Sequence, residues 1–526
     1  MPVSSRRRQW VYPVVLLSGT AVAAFGVFYT LDMWLGGAKA KSFFDFDPNR
    51  ITDSIGNLSG MIAAVLGIII TVVSIIVQLS AERYTQVTEM FFRDRTNMGV
   101  LAFYVVGCMC GIFVSFTLGE SFVPRVSLTV MMVVALVGFG LMAPYFAYVF
   151  DFLQPENIIL RIRRWAARAA AAGARSDDED RRADAQAQVL SCMEQLTDIT
   201  INSIQSKDKI IATAGVDALK DLAIDYLGQK KGSLATWFAV GPRIRQNPDF
   251  VSMQAESVED LAKSRTWVEW KVLRQYQSIY SEALATMRDI NYVIAIDTRY
   301  LGEAAIEADD REALALALKF FNSYLRATLN AKDVRTAYNI LNQYRQLAEA
   351  ILRAGWHDKA VEVANYIKYY GHVSFGMKLA FVTETVAYDL CSLCEYVHEI
   401  GSPAEQRILK IFLEVDQAAS DAEVQELSLR GVRKAQVKLA TYYLVKGRED
   451  LARVIFEDMK HERSERLRSI RDELEKVETK DFWEVIDRGT NFDYLAPERK
   501  AMLATFFDWF GRLSGEYVVP PKVKEA

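Results

Sequence analysis

Charged residues are scarce in the first 150 residues of this 526-residue chain and common afterwards. The first 150 residues hold 10 Lys and Arg and 8 Asp and Glu, whereas the remaining 376 hold 52 and 58. A mean hydropathy of +0.05 for the whole chain hides this contrast. Because a bilayer-spanning segment must be almost free of charge, the distribution predicts a membrane domain joined to a charged soluble region.

Other scarcities exclude several classes of protein. Five cysteines in 526 residues cannot form a disulfide scaffold. A net charge of −4 gives no reason to expect nucleic-acid binding. No proline occurs between Pro248 and Pro403, and since proline breaks helix interiors, this gap predicts an all-α soluble part.

Sites of catalytic chemistry are also scarce. The chain has no Walker P-loop, no HExxH and no GxSxG motif. Cys391, Cys394 and His398 share one helical face and could ligate a metal, but a structural zinc site needs a fourth ligand. Two buried cysteines that pack as small apolar residues are the alternative. We therefore expect neither enzyme activity nor a metal or other cofactor.

Four segments are long and apolar enough to cross a bilayer as helices, which takes about 20 residues. They span about residues 10–35, 55–79, 98–118 and 126–150. Eleven basic residues lie on the side that contains both termini, against four on the other. The excess of Lys and Arg on the cytoplasmic side of membrane proteins predicts a multi-pass protein of the inner membrane with both termini in the cytoplasm.

Small and polar residues form a stripe along the second of these segments. The stripe is spaced by alternating steps of four and three, so its members share one helix face. Its members are Asp53, Asn57, Gly60, Ala64, Gly67, Thr71, Ser74 and Gln78.

Lipid-facing residues should be apolar, so we expect the stripe to meet protein or water. Close helix packing through Gly60 and Ala64 is one interpretation. The other is a pore lined by this helix in a homo-oligomer, with Asp53 at the outer mouth. Asp53 at a helix start is also typical of an N-cap.

Basic residues flank the membrane segments on the cytoplasmic side. We expect contacts with lipid phosphates from a set that consists of Arg93, Arg95, Arg161, Arg163 and Arg164. Anchors that only fix the orientation, followed by an ordinary charged linker, are the alternative interpretation.

A motif at this juncture resembles a known family. Gln78-Leu79, Tyr84 and the run Phe92-Arg93-Asp94-Arg95 are similar to a pattern in bacterial predicted membrane proteins of unknown function. Leu196-Thr197-Asp198-Ile199 resembles a second short run of that family. Thr85-Gln86 departs from the usual Ser-Pro, and no proline follows Asp208. The resemblance implies a shared membrane architecture and no particular activity.

Helical periodicity continues through the soluble region, where two turns are similar. Gly355 and Gly447 lie in matching contexts 92 residues apart, each ahead of an Asp and an Ala. Glycine commonly ends helices because this position favours a positive φ. The pattern resembles the turn of tetratricopeptide-like hairpins, with an irregular helical bundle as the alternative.

The predicted fold is therefore all-α, with a four-helix transmembrane domain and a large cytoplasmic helical region. The expected division is a transmembrane domain at 1–155, a juxtamembrane helix and charged linker at 156–188, helical regions at 189–310 and 311–517, and a disordered tail at 518–526. A channel-like homo-oligomer with the second segment at its axis is the first functional hypothesis. A membrane-tethered scaffold or sensor that recruits cytoplasmic protein partners is the second.

Overall fold

The computed structural model describes residues 20, 23–24, 26–31, 33–34, 48–81, 91–92, 94–117, 124–416, 425–481, 487–489 and 491–511. Within these ranges the regular structure is helical and contains no strand. The all-α prediction is thereby confirmed. The chain divides into two compact units, Met1–Arg161 and Ile162–Ala526.

The first unit contains the apolar helices. They are α1 (Pro48–Ala81), α2 (Arg95–Thr117) and α3 (Arg125–Phe152), followed by α4 (Pro155–Gly173), which continues into the second unit. Among the described residues, α2 and α3 are long and apolar enough to cross a membrane, and Gly60–Ile75 of α1 forms a shorter apolar stretch. Most of the first predicted span, and the tail at 518–526, lie outside the described residues. The four-span arrangement stays a prediction.

Helix α1 packs on α2 and α3 through one apolar face. The buried residues of this face are Ile62, Val65, Ile69 and Val73. The same unit contains a close approach between α2 and α3, where the Tyr104 hydroxyl donates a 2.6 Å hydrogen bond to the carbonyl of Gly138.

The second unit consists of helices joined by short turns. Its first helices are α5 (Glu179–Gln205), α6 (Lys209–Lys230), α7 (Pro242–Arg245), α8 (Pro248–Val251), α9 (Ala255–Lys263) and α10 (Trp267–Thr286), with a 3₁₀ turn at Ala235–Phe238. Five helices of equal length follow: α11 (Arg288–Glu307), α12 (Arg311–Asn330), α13 (Val334–Arg353), α14 (His357–Gly376) and α15 (Ala380–Glu399). The last are α16 (Glu405–Leu413), α17 (Gln425–Val445), α18 (Glu449–Met459), α19 (Ser464–Lys476) and α20 (Pro497–Asp508).

Helices α11 to α15 repeat with a period of 23 residues, made of a 20-residue helix and a three-residue turn. Each of these four turns contains one residue with positive φ, namely Asp309, Lys332, Gly355 or Lys378, and the longer turn after α15 contains Gly401. After each of them, the next backbone N–H donates to the carbonyl five residues earlier, as from Trp356 to Ile351 at 3.1 Å. This pairing satisfies carbonyls that the helix end leaves open.

The core of the array follows the same period. One fully buried position is filled in successive helices by Ile294, Ala317, Ile340, Val363 and Val386. The odd-numbered helices α11, α13, α15 and α17 pack side by side, and so do the even-numbered helices α10, α12, α14 and α16. The result is a two-layer helical solenoid, in which each helix contacts mainly its near neighbours.

Charged groups buried in the second unit are paired. The Lys271 side chain, fully buried, donates to Glu194 at 2.7 Å, to Asp249 at 2.6 Å and to the side-chain oxygen of Asn247 at 3.0 Å. Since an unpaired charge is costly to bury, this network fixes the packing of α5 and α8 on α10.

Asp297 on α11 lies in a second buried cluster. The Tyr276 hydroxyl donates to it at 3.3 Å, and the Lys220 ammonium lies 3.6 Å away. Burial raises the pKa of Asp297 to about 7, against the opposing charge of Lys220 and with further help from Asp217.

Candidate functional site

The polar stripe of α1 lies on the helix face opposite to the face that packs on α2 and α3. At 100° per residue, the stripe and the buried residues Ile62, Val65, Ile69 and Val73 are centred on opposite sides of the helix. Seven of the eight stripe residues are exposed, namely Asn57, Gly60, Ala64, Gly67, Thr71, Ser74 and Gln78. The backbone of Asp53 lies inside α1, which begins at Pro48, so the interpretation of Asp53 as the N-cap of this helix is wrong. The side chain of Asp53 falls outside the described set.

The two glycines of the stripe show how open this face is. A Cβ atom added to Gly60 or Gly67 would meet no described atom within 4 Å. The Thr71 hydroxyl donates to the Gly67 carbonyl at 2.8 Å, which satisfies the hydroxyl within the helix. Among the described residues of one chain, helix packing therefore does not use the stripe.

A second group of polar side chains converges where α2 begins. The Asp94 carboxylate accepts from the backbone N–H of Thr96 at 2.9 Å and of Asn97 at 3.3 Å, which makes Asp94 the N-cap of α2. The Tyr148 hydroxyl of α3 donates to the same carboxylate, and Arg161 of α4 lies 3.4 Å from it.

The electrostatics of Asp94 follow from these contacts. Burial raises the pKa of the carboxyl group. The hydrogen bonds from Tyr148, Asn97 and Thr96, together with the charge of Arg161, outweigh burial and hold the pKa below its ordinary value of 3.8. Asp94 is therefore ionised at neutral pH and ties three helices together.

Asn97 and aromatic rings complete this junction. The Tyr145 hydroxyl donates to the Asn97 side-chain oxygen at 2.5 Å, and the Asn97 amide donates to the Phe91 carbonyl at 3.1 Å. Phe91 packs edge-on against Phe152 at 5.2 Å, and the Arg161 guanidinium lies 4.2 Å from the Phe152 ring centre. We call the group Phe91, Asp94, Asn97, Tyr145, Tyr148, Phe152 and Arg161 the junction cluster.

The basic residues expected at the lipid interface fall into different surroundings. Arg161 is in the junction cluster, and Arg163 pairs with Asp221 at 2.6 Å and with Asp225 at 3.1 Å. Arg95 and Arg164 are exposed, and Arg93 lies outside the described residues. Lipid contact by this set stays a prediction. Among the described members, Arg95 and Arg164 are the exposed ones that could make such a contact.

The weak metal candidate is not assembled as a ligand set. The Cys391 thiol donates to Glu395 at 3.8 Å, Cys394 is buried, and the His398 ring contacts Glu405 at 2.6 Å. Within the described ranges, no group of three or more His, Cys, Asp or Glu side chains is placed to hold a metal ion.

The sequence pattern did not predict the junction cluster. Asp94 stands between two arginines, which favours a local ion pair, whereas its partners Tyr148 and Arg161 come from two later helices. The available signal was the Asp-x-Thr-Asn order at the start of an apolar helix, which is typical of an N-cap.

Comparison with known proteins bears on the first part of the chain. Residues 6–208 match the model of a family described as "Predicted membrane protein (DUF2254)". The resemblance seen in the motifs around Gln78 and Asp94 is thereby confirmed for this region. The matched part includes the polar stripe and the junction cluster.

Other comparisons add little. No curated protein matches the sequence. Among solved structures, a "circular tandem repeat protein with novel repeat topology and enhanced subunit contact surfaces" is similar at 13% identity. The similarity covers 79% of this chain and 86% of that one, with a TM-score of 0.37. This likeness carries no argument about fold or function.

Proposed function

We propose that copies of this membrane protein assemble into a homo-oligomer in which α1 of each copy faces a common axis, and that this axis forms a pore. The observation that carries the proposal is the exposure of the polar stripe on the side of α1 away from α2 and α3. Polar side chains are costly against lipid tails, and contact with other copies or with water removes that cost.

The composition of the stripe supports both parts of the proposal. Gly60, Ala64 and Gly67 allow helices of neighbouring copies to approach closely. Thr71, Ser74 and Gln78 follow on the same face toward the C-terminal end of α1, and their polar groups can line a water-filled passage. One α1 helix cannot enclose a pore, so the function requires the oligomer.

Ion flux into liposomes tests the pore. The purified wild-type protein should conduct, and Thr71→Val and Gln78→Leu should change the flux, because both remove polar groups from the axis. Phe116→Leu is a matched control, since Phe116 is exposed on α2 away from the stripe. A well-folded oligomer without flux would count against the pore, and a strict monomer in detergent would count against the axis itself.

The proposed orientation places both termini and the second unit in the cytoplasm of a bacterial cell, with the helices in the inner membrane. Its support is the excess of Lys and Arg on that side of the apolar segments. Two reporter enzymes can be fused after residue 511, one that works only in the cytoplasm and one that works only in the periplasm. Only the cytoplasmic reporter should be active. Activity of a periplasmic reporter at that site would contradict the orientation.

A scaffold that recruits proteins is the second candidate function, and the regular solenoid of α11 to α15 favours it. Helical repeat arrays commonly present extended surfaces to protein partners. Cross-linking of the full-length protein in cells, followed by mapping of the linked lysines, tests this role. Links from one specific partner to residues 311–413 would support it, and links spread evenly over the surface would count against it.

A further inference from the structure

A line of charged side chains runs from the juxtamembrane helix α4 through α6 to α11 of the solenoid. Arg163 on α4 pairs with Asp221 at 2.6 Å and with Asp225 at 3.1 Å, both on α6. Lys220, beside Asp221 in α6, lies 3.7 Å from the Asp221 carboxylate and 3.6 Å from Asp297 on α11. Asp221 is therefore shared between a cation of α4 and a cation that also faces α11.

Burial increases along this line toward α11. The Asp221 side chain is 38% exposed, the Lys220 side chain 18% and the Asp297 side chain 2%. Because a buried charge is screened much less than an exposed one, a change of charge at Asp297 acts strongly on Lys220. We call this group the α6 charge cluster, and its members are Arg163, Asp217, Lys220, Asp221, Asp225 and Asp297.

The charges of the α6 charge cluster do not balance. Two cations stand against three carboxylates on α6, before Asp297 is counted. With a neutral Asp297, the cluster has one excess negative charge, which the partly exposed carboxylates share. Ionisation of Asp297 adds a second excess charge at the buried end, where an uncompensated charge is most costly.

The direct neighbours of Asp297 come from two helices. From α6, Lys220 faces the carboxyl group, with Asp217 behind it at 2.9 Å from Lys220. From α10, the Tyr276 hydroxyl donates to Asp297 at 3.3 Å. Burial, helped by the charge of Asp217, raises the pKa of Asp297 to about 7 against the charge of Lys220. Burial also raises the pKa of Tyr276, so this hydroxyl stays protonated at neutral pH.

The other two helices packed on α11 bring groups that are already paired or neutral. On the side of α13, Arg299 of α11 binds Gln343 at 2.8 Å and Glu303 at 2.6 Å. On the side of α12, the buried Tyr324 stacks on Tyr280 of α10 with ring centres 4.7 Å apart. The charge of Asp297 is therefore felt mainly across the contact with α6.

We propose that Asp297 is a pH switch for the juxtamembrane helix, because release of its proton to solvent loosens α6 from α11 and the Arg163 pairs pass this change to α4. Ionised Asp297 repels the carboxylates of α6 and draws Lys220 away from them. α4 follows α6 because Arg163 binds two of those carboxylates. Since α4 begins at Pro155, directly after α3 ends at Phe152, the switch acts on the helix that follows the apolar helices. It is independent of the proposed pore.

Hydrogen exchange of the full-length protein in detergent at pH 5 and pH 7 tests the switch, with each amide rate divided by its intrinsic rate at that pH. Between the ordinary and the raised pKa, each pH unit changes the ratio of loosened to packed forms by about tenfold. Protection of α6 and α4 should therefore fall at least about tenfold from pH 5 to pH 7.

Asp297→Asn should remove most of this change, because asparagine stays neutral and has nearly the same shape. The same fall in protection of α4 in Asp297→Asn as in the wild type would overturn the proposal. A wild-type α4 whose protection is independent of pH would overturn it as well.

Arg163→Met isolates the connection between α6 and α4. The variant lacks both pairs to α6, so α6 should keep its pH-dependent protection while α4 loses at least about half of its own on a logarithmic scale. Arg164→Met changes the exposed neighbour of Arg163 and should leave both helices as in the wild type. Equal pH dependence of α4 in these two variants would be the contrary result.

Discussion

The Asp94 carboxylate lies 3.4 Å from the Arg161 guanidinium, although 67 residues separate them in the chain. The contact connects the start of α2 to α4, and Tyr148 on α3 donates to the same carboxylate. A motif that could be interpreted as a lipid anchor thus contains the residue that joins α2, α3 and α4.

Replacement of Asp94 tests this role. Asp94→Ala removes an N-cap, which typically costs about 0.5–2 kcal/mol, and leaves Tyr148 and Arg161 without their shared partner. We expect unfolding in detergent micelles to occur at a clearly lower temperature. Arg95→Ala changes an exposed neighbour and should have little effect. Equal unfolding temperatures for the two variants would refute the joining role.

The effect on stability of replacing a glycine by alanine depends on the backbone φ of that glycine. Gly355 has φ +79° in a solenoid turn, so Gly355→Ala should destabilise the second unit by about 1–2 kcal/mol, the cost of a Cβ in the left-handed region. Gly228 is exposed inside α6 with open space around it, so Gly228→Ala should be neutral or stabilising. Urea unfolding of the two variants measures this difference, and the reverse order would contradict the turn geometry.

The same geometry predicts a stabilising change at a related turn. Lys378 occupies the equivalent position with φ +62°, and glycine adopts this conformation without the Cβ penalty. We therefore expect Lys378→Gly to raise the free energy of unfolding by up to about 1 kcal/mol. A loss of stability would show that the Lys378 side chain contributes more than its backbone strain costs.

Lys271 should contribute far more to the free energy of unfolding than an exposed lysine that also forms an ion pair. Lys271→Met leaves Glu194 without its cation and Asp249 with only Arg274 at 3.4 Å. Loss of one member of a buried pair is strongly destabilising, here by about 2–3 kcal/mol since Asp249 is partly exposed. Lys209→Met breaks an exposed pair with Asp289 and should cost less than about 1 kcal/mol. Chemical denaturation, monitored by tryptophan fluorescence, measures the loss of stability in each variant. Similar losses in Lys271→Met and Lys209→Met would contradict the prediction.

The pH dependence of stability should contain a component from Asp297. Its pKa is raised from 3.8 to about 7, so the folded state binds a proton more tightly than the unfolded state. The resulting stability is present below pH 4 and is lost as pH rises toward 7, by up to about 4 kcal/mol.

Asp297→Asn should remove this component, because asparagine stays neutral. The free energy of unfolding of the variant, relative to the wild type, should increase between pH 4 and pH 7 and then level off. Urea unfolding at several pH values measures it. A difference that is independent of pH would mean that Asp297 titrates near its ordinary value.

Much of the fold follows from local patterns in the sequence. Apolar periodicity and the rarity of proline predict the helices, and the similar turns at Gly355 and Gly447 predict hairpins. Those glycines are four periods of 23 residues apart. The intervening equivalents include Lys378 and Gly401, so residue identity alone conceals the period, which becomes visible only from the backbone conformation.

The sites are harder to predict because their residues come together only on folding. Arg488 reaches Asp389 from 99 residues away, and Asp94 meets partners on α3 and α4. The polar stripe is an exception, since a single helix determines its geometry and its spacing is visible in the sequence. Its surroundings required the structure, which places the apolar contacts of α1 on the opposite face.

Cysteine cross-linking in membranes tests the shared axis most directly. In a background with Cys108 and Cys110 replaced by Ala, Thr71→Cys lies on the stripe, and Ile70→Cys is exposed on the adjacent side of α1. Under oxidation we expect Thr71→Cys to form disulfide-linked dimers efficiently and Ile70→Cys to form few. Absence of dimers from Thr71→Cys, or equal yields from both variants, would contradict an axis lined by α1.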